Sequence, residues 1–124
     1  MWIFCKLGFF SAVQHRDKPD VLLVRARIKG DLERLLKEIK DNGLGGHVEC
    51  FGKIQETPDA DYRFRVEIRK QAFAEFLFVA AKEIDYDNFK NAAHDGTVRD
   101  EAYMDVWRAM WSAQNFPKNR RKVI

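Results

Sequence analysis

Residues Tyr62-Arg63-Phe64-Arg65-Val66-Glu67-Ile68-Arg69 alternate apolar and charged side chains with a period of two, and from Gln71 onward the period becomes that of a helix. A strand presents successive side chains to opposite faces, so 62–69 is predicted to carry one dry face and one basic face. Leu22-Leu23-Val24-Arg25-Ala26-Arg27-Ile28 has the same rhythm, with Leu22, Val24, Ala26 and Ile28 on one side and Leu23, Arg25 and Arg27 on the other. Two such strands in one sheet collect their guanidinium groups on its uncovered face.

The remaining elements follow from periodicity and turn chemistry. Residues 9–15 are predicted as an early strand, paired with the residues before Gly8 or with 21–28 across the turn Arg16-Asp17-Lys18-Pro19-Asp20. Leu32, Leu35, Leu36 and Ile39 recur at helical spacing, with Asp31 as the expected N-cap and Asn42-Gly43 as the stop. A second hairpin is expected from 47–55 and 61–69. Val48, Cys50 and Ile54 point inward from one arm, Tyr62, Phe64, Val66 and Ile68 from the other, and Gly52 marks a bulge or a close-packing point. Phe73, Phe76, Leu77, Ala80, Ala81 and Ile84 define a second helix, whose stripe Phe78 and Val79 widen. Thr97 with Asp100 resembles a capping box ahead of a third helix with Ala102, Tyr103, Val106, Trp107, Met110 and Trp111 on its apolar side, stopped by Asn115-Phe116-Pro117. The expected architecture is α+β: a two-layer sandwich with a mainly antiparallel four-stranded sheet and the helices on one face.

A chain of 124 residues with 46% hydrophobic side chains can bury a core without metal or disulfide help, so 1–124 is expected as a single domain. Lys118, Arg120, Arg121 and Lys122 add a short basic C-terminal tail. The two cysteines, Cys5 and Cys50, do not make a disulfide scaffold, and Cys50 falls in the apolar phase of its segment. The apolar start, residues 1–10, is interrupted by Lys6, is too short to span a bilayer and lacks the basic segment of a signal peptide. A cytoplasmic protein with no membrane association is the expectation.

The net charge of +3 permits nucleic-acid or acidic-protein partners, and its distribution carries more information than its sum. Arg25, Arg27, Phe51, Lys53, Arg63, Arg65 and Arg69 are expected to face solvent together on the open side of the sheet. Guanidinium groups beside a ring can attract phosphate by charge and stack a base. The bland reading is a solvated face, with Glu49 and Glu67 interspersed among the cations as cross-strand partners. The aromatic-rich signature of an RNA-recognition motif is absent from these strands.

His15, His47 and His94 are widely separated and form no ligand cluster with Cys or carboxylates. Asp85 and Asp87 lack the offsets of a calcium loop, and the better reading is that one of them caps the following turn while Tyr86 and Phe89 anchor it. No metal, cofactor or catalytic residue is assigned. In the third helix Trp107 is expected in the core, and Trp111 at the surface as a contact for a partner or a second copy of the chain. The function expected is a non-enzymatic binding or regulatory domain, the alternative being a small enzyme with a cleft assembled from distant polar residues.

Met1-Trp2-Ile3-Phe4, Leu22-Leu23-Val24-Arg25-Ala26-Arg27, Asp85-Tyr86-Asp87-Asn88-Phe89-Lys90-Asn91 and Tyr103 followed by Val106-Trp107 together resemble a family of small uncharacterised bacterial proteins, over nearly the full chain. The resemblance implies a bacterial or mobile-element cytoplasmic protein and implies no activity that transfers residue by residue.

Overall fold

The computed structural model describes residues 1–46 and 49–115. Two compact units divide the chain, Met1–Asp85 and Tyr86–Ile124. In the first unit the strands are β1 (Trp2–Cys5), β2 (Gly8–Gln14), β3 (Val21–Ala26), β4 (Gln55–Glu56) and β5 (Phe64–Arg69), and the helices are α1 (Lys29–Asp41) and α2 (Lys70–Lys82). The sheet is antiparallel in the order β1-β2-β3-β5-β4. It has five strands where the periodicity gave four, because residues 2–5 form a hairpin arm of their own against β2.

Alternation sorts the sheet into two faces. Phe10 and Ala12 of β2, Val24 and Ala26 of β3, and Val66 and Ile68 of β5 lie on one of them, buried with Leu32, Leu35 and Ile39 of α1 and Ala72, Phe73 and Phe76 of α2. Both helices therefore cover the same side, and neither helix of this unit covers the other. On α2 the stripe is narrower than its apolar sequence implies, since Phe78 is exposed, and Ile84 lies beyond the end of the helix and is exposed as well.

Asp31 is not the N-cap of α1. Ile28 occupies that position without a side-chain bond, and Asp31 lies in the first turn, 2% exposed. Its carboxylate accepts the Phe9 backbone N–H at 3.1 Å and pairs with Arg34. Arg34 in turn donates through Nε to the Leu7 carbonyl at 2.7 Å. The β1–β2 turn is thereby tied to the helix at both a donor and an acceptor. Gly8 is required here, because its φ is +156° and a Cβ would lie 2.2 Å from Asp31 Cγ. At the other end of α1 the expected stop is present, with Asn42 as C-cap and Gly43 at φ +60°.

The predicted strand over 47–55 is mostly replaced by irregular chain. Its first two residues, His47 and Val48, lie outside the described residues. Phe51 forms an isolated bridge to Ile68, and regular pairing resumes only at Gln55↔Arg65. Four steps along one strand, 51 to 55, thus match three along β5, 68 to 65, so one extra residue is inserted around Gly52. Cys50 is buried as expected and donates to the Leu44 carbonyl.

The second unit contains α3 (Phe89–Ala92) and α4 (Val98–Gln114). Thr97 caps α4 by accepting the Arg99 N–H, and Asp100 reaches back to accept the N–H groups of Asp95 and Gly96. The cap of α3 is Asn88, which accepts the Asn91 N–H, rather than Asp85 or Asp87. Tyr86, Phe89 and the buried Tyr103 form a run of rings with centroids 6.1 and 5.7 Å apart. Trp107, expected in a core, is 48% exposed. The basic tail lies outside the described residues.

Removing a buried charged acceptor strands its donors and its cation, so Asp31→Ala should lower the unfolding free energy by about 2–4 kcal/mol. Gly8→Ala should act in the same direction through the same contact. Urea denaturation measures both, with the exposed change Glu33→Ala as the control. A loss at Asp31 no larger than that of the control would show that the hairpin is not held this way.

Candidate functional site

The open face of the sheet is ordered in rows that cross the strands. The registers Trp2↔Ser11, Ser11↔Arg25, Arg25↔Arg65 and Arg65↔Gln55 join into one row spanning all five strands. On one side of it Phe4 pairs with Phe9, and on the other Val13 pairs with Leu23 and Leu23 with Glu67. The face is therefore aromatic at the β1–β2 end and cationic in the middle.

The rings are in contact. Phe4 and Phe9 stack with centroids 4.2 Å apart, and the Trp2 and Phe9 rings meet nearly perpendicular with centroids 5.9 Å apart. Phe9 also approaches Tyr62, at 6.4 Å. The guanidinium carbons of Arg25 and Arg27 lie 4.5 and 4.3 Å from the Tyr62 centroid, and that of Arg27 also lies 5.9 Å from Phe9. Tyr62 is only 3% exposed, but it is buried under these arginines and not, as alternation predicts, in the helix-covered core. The chain bends at 61–63 before β5 begins, so the in-out order of β5 does not extend back to Tyr62.

The predicted cations separate into two groups. Arg63 pairs with Glu56 at 2.8 Å, Arg69 with Asp20 at 3.7 Å and Arg27 with Asp61 at 3.6 Å. Arg25 and Arg65 face each other directly across β3 and β5, and among the described residues neither has a carboxylate partner. Arg25 donates through Nη2 to Ser11 Oγ at 2.8 Å, while its buried Nε has no acceptor among the described residues. Arg65 donates to Thr57 Oγ1 at 3.2 Å and to the Tyr62 carbonyl at 3.4 Å. Like charges directly opposite in a sheet are unfavourable, and neutral acceptors do not cancel them. The pair leaves a positive centre that an anion would stabilise.

Phe51 and Lys53 do not join this group. The bridge to Ile68 sets Phe51 on the core face, where it packs against the buried cluster. Both residues line a cavity of about 610 Å³ with Ile39, Leu44 and Cys50. The inserted residue near Gly52 is the cause, since it puts Phe51 and Gln55 on opposite sides. The residues that alternation alone failed to assign are Trp2, Phe4, Phe9 and Tyr62. For the first two the signal was present, as aromatic residues at every second position of an apolar start.

Beyond Leu23 the face is charge-balanced. Glu67 accepts from Lys18 Nζ at 2.9 Å and lies 3.3 Å from His15 Nε2. His15 Nδ1 accepts the N–H groups of Asp17 and Lys18, which puts the ring proton on Nε2, toward Glu67. The hydrogen bond from Lys18 holds the Glu67 carboxyl below its ordinary range, and the same bond raises the Lys18 ammonium. His94 Nδ1 lies 2.8 Å from Asp100, within the second unit. No three His, Cys, Asp or Glu side chains among the described residues converge as a metal site. Trp111 is 55% exposed and stacks on Trp107 at 5.8 Å, with Lys90 Nζ 4.7 Å from the Trp107 ring. No described helix is long and apolar enough to cross a membrane.

No protein family, curated protein or solved structure matches the chain, so the reading of function rests on this geometry.

A carboxylate whose folded pKa is depressed stabilises the fold above its unfolded pKa and loses that contribution as pH falls through the folded value; for Lys18 the loss comes as pH rises through its raised value. The pair should therefore persist at neutral pH and fail at both extremes. Lys18→Met should move the Glu67 titration upward, toward the ordinary carboxylate range, in a carboxyl-detected NMR titration. An unmoved midpoint would show that Lys18 does not set it.

Proposed function

We propose that the protein is a non-enzymatic binding domain whose open sheet face binds nucleic acid. The observation that carries this reading is the Arg25–Arg65 pair, two half-buried guanidinium groups directly opposite each other, neither of which forms an ion pair with a carboxylate among the described residues. Such a pair opposes folding in the absence of an anion and favours one when present. The adjoining Trp2, Phe4, Phe9 and Tyr62 supply what an acidic polypeptide would not use, a row of rings beside the charge. A base with its attached phosphate matches both features.

The contacts at Arg25 and Arg65 are to phosphate, so they set affinity rather than sequence preference. Replacing both arginines by alanine should weaken binding to oligonucleotides of different sequence by similar factors. It should also make the logarithmic salt dependence shallower by about 1.4, two phosphates at about 0.7 each for a single strand. Fluorescence anisotropy over a salt series measures this, with circular dichroism confirming that the variant is folded. Undetectable binding of the wild-type chain to DNA or RNA at low salt would eliminate the proposal, and saturable binding of polyglutamate in its place would redirect it to an acidic protein.

A further inference from the structure

We infer that the nucleic acid is single-stranded and that Trp2 stacks an unpaired base at the rim of the sheet while Arg25 and Arg65 hold the neighbouring phosphate. The inference rests on the proposed nucleic-acid reading and narrows it. Trp2, Arg25 and Arg65 belong to the same transverse row, in which Ser11 is the only residue between the indole and the first guanidinium. Adjacent strands are about 4.8 Å apart, so Trp2 and Arg25 are separated by roughly 10 Å of sheet. Charge and ring are thus close enough to meet the same stretch of a flexible strand.

The rings differ in what they can offer. Tyr62 is covered by Arg25 and Arg27, and Arg27 also lies over Phe9, so cations already occupy these two. Phe4 has one of its faces stacked on Phe9. Trp2 is 69% exposed, and its perpendicular contact with Phe9 orients the indole without covering both of its faces. An exposed tryptophan on a short strand costs apolar hydration, and a ligand base would remove it from water. Duplex nucleic acid keeps its base faces in its own stack and presents phosphate outward, so it can satisfy the arginines but leaves Trp2 unused. A single strand satisfies both. Stacking accepts any base, and no base-edge recognition is needed for the row to function.

The three tryptophans are Trp2, Trp107 and Trp111, and the last two are exposed. A Trp107→Phe/Trp111→Phe background therefore leaves Trp2 as the sole indole reporter. This protein is titrated with oligothymidylate, a fully abasic oligonucleotide and a duplex, all of equal length at the same salt. The expected result is quenching of Trp2 by oligothymidylate, with affinity about tenfold above that for the abasic strand and the duplex. Trp2→Ala, tested by anisotropy, should reduce oligothymidylate to the abasic level while leaving abasic affinity unchanged, and Trp2→Phe should recover part of the difference. Melting curves of both variants establish that they are folded, and Trp2→Phe keeps the test valid if Trp2→Ala is not. Equal affinity for the abasic strand, tighter binding of the duplex, or unchanged Trp2 fluorescence on saturation would overturn the stacking inference while leaving phosphate binding in place. Failure of all three ligands to bind at low salt would overturn both.

Discussion

The buried carboxylate of Asp31 is the interaction on which both the sheet and its open face depend. It is the point where α1 holds the β1–β2 hairpin, by accepting the Phe9 N–H while Arg34 balances its charge and grips the Leu7 carbonyl. A hairpin of two short strands is marginal in water by itself. The anchor lies at the residue whose side chain begins the aromatic row, because Phe9 turns its N–H to Asp31 and its ring toward Phe4, Trp2 and Tyr62. Gly8 makes the approach sterically available. The helix-covered side of the sheet thus helps to position the rings on its other side through the Phe9 N–H and the Leu7 carbonyl.

On that other side, the arginines and Tyr62 make a mutually dependent arrangement. Two guanidinium groups over one ring gain cation–π attraction and cover a phenol that the bend at 61–63 leaves outside the main core. The same stacking restricts the long side chains of Arg25 and Arg27, so part of the cost of ordering them is met on folding. The Arg25–Arg65 repulsion opposes this gain. Where a strand site needs no ligand, an acidic residue opposite one arginine would relieve the conflict, as Lys18 relieves Glu67 at the far end of the face. The contrast between a balanced end and an unbalanced centre on one sheet is the physical basis for treating the centre as a binding surface.

Elements governed by one period were legible in the sequence. β3, β5, α1, α2 and α4 all follow from alternation or helical spacing, and Thr97 with Asp100 specified the start of α4 from local hydrogen bonding alone. Asp31 shows where such reasoning stops. A polar residue at the beginning of an apolar helical stripe has the composition of an N-cap, but here the helix starts earlier and the carboxylate is used for a tertiary contact 22 residues away. Similarly, Trp107 shares the apolar phase of α4 with Tyr103, yet only Tyr103 is buried. Periodicity identifies a face of a helix; it does not specify how much of that face is covered.

The sheet face opposite the helices was legible in Arg25 and Arg65 and illegible in its rings, for a reason located in two backbone irregularities. Alternation placed Arg25 and Arg65 correctly because β3 and β5 pair without interruption across those positions. It placed Phe51 outside and Tyr62 inside, and both are reversed. A single inserted residue near Gly52 turns Phe51 toward Ile68, and the bend before Phe64 lets Tyr62 lie under Arg25 and Arg27. A one-residue change of phase exchanges the faces of everything on one side of it, because the side-chain period of a strand is two. Regular pairing therefore fixes where the charge lies, whereas the bulge and the bend determine which aromatic side chain accompanies it.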